Sequence, residues 1–304
     1  MFSFGSDPEF FLTQRGKFKS AISFFPSKET PIEKDGCFFY YDNVLVESQV
    51  EPAKSREEAV DNIGTCLHAL VELADPCKIV LQSAVNFPES ELKDEDARIA
   101  GCMPEWCAYS LTQVLPPSEI IRNTPFRTAG GHVHLGDNTL FQNGFQILNV
   151  IRMLDLFLGV PSVLLDKDKT AKVRREVYGH AGTHRVPDHG LEYRALSNYW
   201  LASPELVRLV YDICDFTVNF VEKGGHEKYW SIDEELLDDD DPSLAHRCFG
   251  YDAEAIQKCI NNCDKKLAEK FMMIVSNHIP SSICDRIESL STKEFNLYKE
   301  WDLK

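Results

Sequence analysis

Four stretches of the chain carry side chains that could do chemistry together. Asp7-Pro8-Glu9-Phe10-Phe11-Leu12 sets two carboxylates two residues apart, so on one strand both face the same side and Phe10 the other. Glu47 lies within the apolar run Val44-Leu45-Val46-Glu47-Ser48-Gln49-Val50, with Glu51 as a weaker second acid. Gly130-Gly131-His132-Val133-His134-Leu135-Gly136, preceded by Arg127, puts two imidazoles on one strand face, between glycines that allow backbone to approach a ligand closely. The fourth runs from Arg174-Arg175 through Tyr178-Gly179 and Arg185 to Gly190-Leu191-Glu192-Tyr193-Arg194, where Glu192 and Arg194 again share a face. Alone, each has a plainer reading: a solvent-facing strand edge for the acids, a structural histidine pair, a surface ion pair for Glu192 and Arg194. Together they supply hard oxygen ligands, imidazole and guanidinium, the inventory of a Mg²⁺–nucleotide site. There is no GxxxxGK[ST] or GxGxxG phosphate loop, no HExxH, no cysteine-based zinc set and no local signature of a Ser or Cys nucleophile.

Strands are expected at Gly5 to Leu12, Cys37 to Val50, Lys78 to Phe87, Gly131 to Gly136 and Leu191 to Leu196 to position these groups. Ser55 with Glu58 forms a capping box that opens a helix to about Leu73. An apolar helix of about 139–159 should end in a turn at Pro161. Ser203-Pro204-Glu205 starts a helix to about Glu222, and a last long helix spans about 252–276. The acidic run Asp233 to Asp241 reads as a solvated loop rather than a metal cage. Strands and helices mix without a βαβ rhythm, which predicts an α+β fold with a largely antiparallel sheet.

Of 304 residues, 32 are Lys or Arg and 48 are Asp or Glu, a net charge of -16. That balance argues against a general nucleic-acid or anionic-membrane surface. Residues 121–200 run against it, with ten basic and seven acidic side chains. The N-terminal residues lack a basic segment and an apolar core, which argues against export and for a cytoplasmic protein. The run from Phe145 to Leu165 carries Asn149, Arg152 and Asp155 and reads as a buried helix rather than a membrane span. Ten cysteines without a CxxC pair read as reduced, mostly buried thiols.

The order Asp-Pro-Glu-Phe-Phe-Leu, a mid-strand Glu, Gly-Gly-His-Val-His and Glu-Tyr-Arg resembles the glutamine synthetase-like carboxylate–amine ligases, and most nearly the phage-associated phiEco32-like COOH·NH2 ligase type 2 family. Gly101-Cys102-Met103-Pro104-Glu105 and the stretch from Leu191 to Trp200 are also similar, and the likeness covers roughly residues 3–220. The resemblance implies a glutamine synthetase-like core over 1–225, a curved antiparallel sheet with helices on its convex face and ATP and metal on its concave one. An acidic loop and helical extension would occupy 226–304. It implies Mg²⁺, with Mn²⁺ as an alternative, on Asp7, Glu9, Glu47, His132 and Glu192, although Asp7 is shorter than the glutamate usual there. His134 would face nucleotide and substrate, Arg185 the ATP phosphates, and Arg194 the transferred phosphate or substrate carboxylate. Arg127, Arg175 and Tyr178 are assigned to the same site, the two arginines without a clear counterpart in glutamine synthetase. The implied reaction joins a small-molecule or peptide carboxylate to an amine through an acyl phosphate, in a host cytoplasm if phage-encoded, with a homo-oligomer left open. A guanidino or amine phosphotransferase, a non-catalytic nucleotide-binding module and a metal-dependent hydrolase remain as alternatives.

Overall fold

The computed structural model describes residues 2–101, 103–232, 246–248 and 252–304, so the Asp233 to Asp241 run and Cys102 lie outside the described residues. Twelve strands form one mixed-length antiparallel sheet, and helices pack against it, giving a mixed α and β fold. Its central path runs Gly190–Tyr193, Val133–Gly136, Ser3–Ser6, Leu45–Ala53 and Glu9–Gln14, each hydrogen-bonded to the next. Thr183–Arg185 and Glu105–Cys107 extend it beyond Gly190–Tyr193, and Cys37–Asp42 pairs with Leu45–Ala53 as a hairpin.

Strand alternation decides what this sheet shows on each face. Phe4, Val46, Val133, Leu135, Leu191 and Tyr193 are buried in one hydrophobic core, while Gly5, Glu47, His134 and Glu192 line a cleft on the other side. The core face is sealed by Arg56–Ala74, Gly144–Leu165 and Pro204–Glu222, which contribute Leu67, Leu158 and Val207 to the same cluster. Aromatic rings key helix to sheet: Phe4 meets Trp200 edge-on at 6.0 Å, and Phe2 stacks on Tyr211 at 5.5 Å. Ile256, Phe271 and Trp301 from the C-terminal helices join this core, and the Trp301 indole donates to the Leu201 carbonyl at 2.8 Å.

Several element boundaries differ from the sequence expectation, each for a local reason. Gly5 to Leu12 is not one strand. Ser3–Ser6 and Glu9–Gln14 are separate, with Asp7-Pro8 between them, since proline offers no N–H to a ladder. Cys37 to Val50 folds back on itself as a hairpin because Asn43 adopts a left-handed φ of 57° at its turn. Lys78 to Phe87 yields the two short strands Lys78–Val80 and Ala84–Asn86, and the late strand stops at Tyr193.

The apolar helix does not end at Pro161. A π-helical turn at Asp155–Gly159 widens the ladder just before the proline and lets the helix run from Gly144 to Leu165. This helix is long and apolar enough to cross a membrane, but 89% of its apolar window is buried within the fold, the behaviour of a core helix. The expected helix over 252–276 is two, Ala253–Asn261 and Lys265–Val275, broken where Cys263 takes a φ of 50° and Asp264 caps the second. The helix start at Pro204 stands as read, and so does the Ser55 cap, which accepts from the Glu58 amide at 3.2 Å, while the Glu58 carboxylate reaches back to the Lys54 amide at 2.7 Å instead of that of Ser55. Every cysteine with a described side chain is a free thiol.

Because Leu135 is fully buried directly behind His134, its packing holds the cleft strand in place. Leu135→Ala should cost about 2–5 kcal/mol in urea unfolding at pH 7. A loss under about 1 kcal/mol would show that this strand is not held by the core.

Candidate functional site

The floor of the cleft is assembled by register rather than by sequence proximity. Glu9 stands opposite Glu47, and Glu47 opposite Tyr40 on the hairpin. On the neighbouring strands Gly5 lies opposite His134, His134 opposite Glu192, and Glu192 opposite Arg185. The result is two sets of potential ligands, Glu9, Asp42 and Glu47 in one and Asp7, His132 and Glu192 in the other. Within each set one ligand atom per residue lies within 4.8 Å of the others. Asp7 and Glu9, expected to point together from a single strand, are thus divided between the two sets. Asp7, Glu47, His134, Arg185 and Glu192 line a cleft of about 570 Å³.

Each side chain is held from behind. Glu9 accepts from the Gly130 amide at 2.5 Å and returns its own amide to the Gly130 carbonyl at 3.0 Å. Tyr40 donates to Glu47 at 2.5 Å. Tyr178 bonds the far nitrogen of His132 at 3.3 Å, leaving Nδ1 facing Asp7 at 3.1 Å and Glu192 at 3.5 Å. Glycine at 130 is required by His132, whose Nε2 would stand 2.3 Å from a Cβ there. The glycines therefore serve close packing inside the protein, where the sequence suggested approach of a ligand. Gly101 has the same role beside Asp42, whose carboxylate oxygen would lie 1.8 Å from an added Cβ.

The electrostatics show a site short of positive charge. Burial pushes Glu9 up to about 7, helped by the charges of Asp42 and Asp7. Burial likewise lifts Glu47 and Glu192 to about 8, with Asp7 repelling both, and it raises Asp42. Burial opposes ionisation of Asp7 too, but His134 and His132 outweigh it and hold that carboxyl well below its usual range. Burial and the Arg194 guanidinium push His132 down to about 3, so its imidazole is neutral and able to ligate. For His134 the pull of Asp7 exceeds the effect of burial and raises its pKa. Clustered carboxylates with one neutral imidazole are a donor set that fits Mg²⁺ or Mn²⁺.

The arginines divide. Arg194 pairs with Glu192 and with Glu105, the latter at 2.8 Å, and Arg185 sits at the cleft rim, 3.7 Å from Glu192 and bonded to the Met103 carbonyl at 2.8 Å. Arg127 is not brought to the carboxylates: it is buried with its donors on Asn43 and on the Thr124, Phe126 and Ala97 carbonyls. Arg175 is likewise buried away from them, on the Ile260 carbonyl at 2.5 Å and the Ser162 hydroxyl. Tyr178 is buried between Arg174 and Arg194 and holds His132 rather than lining the cleft. The basic segment 121–200 therefore owes much of its charge to arginines that tie loops together inside the fold.

Four residues at the site carry no role in the sequence reading: Asp42, Tyr40, Glu105 and His189. His189 stacks on His134, with ring nitrogens 3.0 Å apart. Glu105 was visible only as part of the motif beginning at Gly101. Asp42 could have been found from the Asp-Asn turn, which returns the hairpin to Glu47.

Raised carboxylate pKa values imply a sign for stability. Between about pH 4.5 and about 8 the folded protein keeps protons that the unfolded chain releases, so metal-free stability falls as pH rises through that window. The depressed Asp7 acts oppositely but below that range. A divalent cation replaces those protons, so Mg²⁺ should raise the thermal midpoint more at about pH 8 than at about pH 5. Scans with Mg²⁺ and with chelator measure this, and a shift that is absent or equal at both pH values would contradict the site.

No curated protein matches the chain. Residues 122–231 match the family model described as phage phiEco32-like COOH·NH2 ligase type 2, a segment that contains His132, His134, Arg185, Glu192 and Arg194 and excludes Asp7, Glu9, Asp42 and Glu47. Over that segment the chain is similar to the same ligase family that its ordered motifs resemble.

Proposed function

We propose that this protein is an ATP- and Mg²⁺-dependent carboxylate–amine ligase of glutamine synthetase-like architecture. The observation that carries this reading is two ligand sets that each reach one cleft, through Glu47 and through Asp7 and Glu192, with Arg185 lining it too, in a chain similar over residues 122–231 to a COOH·NH2 ligase family. Glu9, Asp42 and Glu47 would hold one cation, and Asp7, His132 and Glu192 another. Such cations supply charge neutralisation and alignment for the phosphates of ATP. The cleft is large enough for a nucleotide, and Arg185 and His134, which line it, would meet phosphate oxygens.

In the proposed sequence a substrate carboxylate oxygen attacks the γ-phosphorus, the bond to the β-phosphate oxygen breaks, and ADP leaves an acyl phosphate. The amine nitrogen then adds to the acyl carbon, loses a proton and expels phosphate, leaving an amide. Arg185 and Arg194 stabilise charge developing on the transferred group, and Glu105 orients Arg194 through its hydrogen bond. Tyr178 fixes the ring of His132. No enzyme nucleophile is required, which agrees with a sequence that offers no signature for one.

Incubating the protein with ATP, Mg²⁺ and a panel of carboxylate–amine pairs, scored for ADP, free phosphate and new amide mass, tests this. At least one pair should yield all three, and Glu9→Gln should lower that rate by about 10²–10³. A Glu9→Gln variant as fast as wild type would remove Glu9 from the site. ADP with a phosphorylated acceptor and no free phosphate would identify a phosphotransferase instead.

A further inference from the structure

The cleft that Glu47 lines is not alone. A second, of about 270 Å³, adjoins it along the hairpin and is lined by Tyr40, Tyr41, Asp42, Asp96 and Gly101 among others. Two residues line both clefts, Glu47 and Lys28. Lys28 is also the one lysine among the described residues that lines either.

Lys28 is loosely held where it stands. It sits in an exposed turn closed by the Thr30 amide on the Ser27 carbonyl at 3.1 Å, and its side chain is 65% exposed. Its ammonium lies 3.7 Å from Glu47 Oε1, beyond hydrogen-bond reach, and that oxygen already accepts from Tyr40. The same ammonium lies 5.1 Å from the centre of the Tyr40 ring. With the lysine end of the pair in solvent and no hydrogen bond between the two groups, little holds it against a competitor for Glu47.

We infer that Lys28 is a displaceable cation that becomes a catalytic residue: it occupies the space beside Glu47 before a divalent cation arrives, and then moves onto the phosphoryl group being transferred. The inference rests on the ligase reading above. A divalent cation held by Glu9, Asp42 and Glu47 would face an ammonium next to one of its own ligands, and the repulsion between them drives Lys28 away. The flexible four-carbon stem pivots from the exposed turn, and the group at the seam of the two clefts that attracts it is the anionic phosphate brought by the nucleotide. Lysine suits that task as a compact point charge with three donors.

Two affinities measured on Lys28→Met and Lys28→Arg in the full-length protein test this. With no nucleotide present, Lys28→Met should bind Mn²⁺ about threefold or more tightly than wild type, because no ammonium has to leave. With Mn²⁺ saturating, the same variant should bind the β,γ-imido analogue of ATP about tenfold more weakly, while Lys28→Arg stays near wild type. A merely structural lysine would not move the two affinities in opposite directions. Unchanged or weaker Mn²⁺ binding, or unchanged analogue binding, overturns the assignment of Lys28. A wild-type protein that takes up Mn²⁺ but no analogue overturns the ligase reading itself and this inference with it.

Discussion

The structure is organised around carboxylates taken out of water. Glu9, Glu47 and Glu192 are each less than a tenth exposed, and Asp7 and Asp42 stand beside them on the same face of one sheet. Such an arrangement is expensive in a low-dielectric setting, and the internal cations compensate only part of it. Arg194 answers Glu192 and Glu105, Arg185 stands 3.7 Å from Glu192, Lys28 stands loosely at Glu47, and Arg174 and Arg175 donate to backbone carbonyls. The shortfall of positive charge shows as raised carboxyl pKa values, and a divalent cation would fit in place of the protons; the rest of the fold is the frame that keeps the carboxylates from moving apart.

That frame is rigid because it is built from short pairings with a fully buried back. Each cleft-facing residue on the central strands has a core residue beside it, as His134 has Val133 and Leu135, and Glu192 has Leu191 and Tyr193. A slip of one residue in any strand would exchange the two faces and place carboxylates in the hydrophobic core. Glycine at 101 and 130 then lets backbone close on Asp42 and His132 without a gap, so both side chains are confined.

Much of the site was legible from residue type and alternation. Glu47, His134 and Glu192 each interrupt an apolar stretch at a period of two, and each faces the cleft. What could not be read was cross-strand partnership. The two acids at 7 and 9 look like one pair in sequence, yet Asp7 falls in the break at Pro8 and Glu9 opens the next strand, and they join two different ligand sets. Asp42 is invisible until the turn at Asn43 folds the hairpin back. The arginines show the opposite failure: Arg127, Arg174 and Arg175 look like an anion site by composition, but their donors serve carbonyls of Ala97, Leu196 and Ile260, contacts that no local pattern encodes. The division of the C-terminal region into two helices was equally hidden, because one residue at positive φ, Cys263, interrupts an otherwise continuous apolar face.

Activation of a carboxylate by phosphoryl transfer would move one of its oxygens into phosphate, and isotope transfer detects that movement. With a carboxylate–amine pair that drives ADP release, the carboxylate is labelled with ¹⁸O and the released phosphate is analysed by mass. Passage through an acyl phosphate carries one labelled oxygen into phosphate for each amide formed. Labelled amide formed alongside phosphate free of label would contradict it.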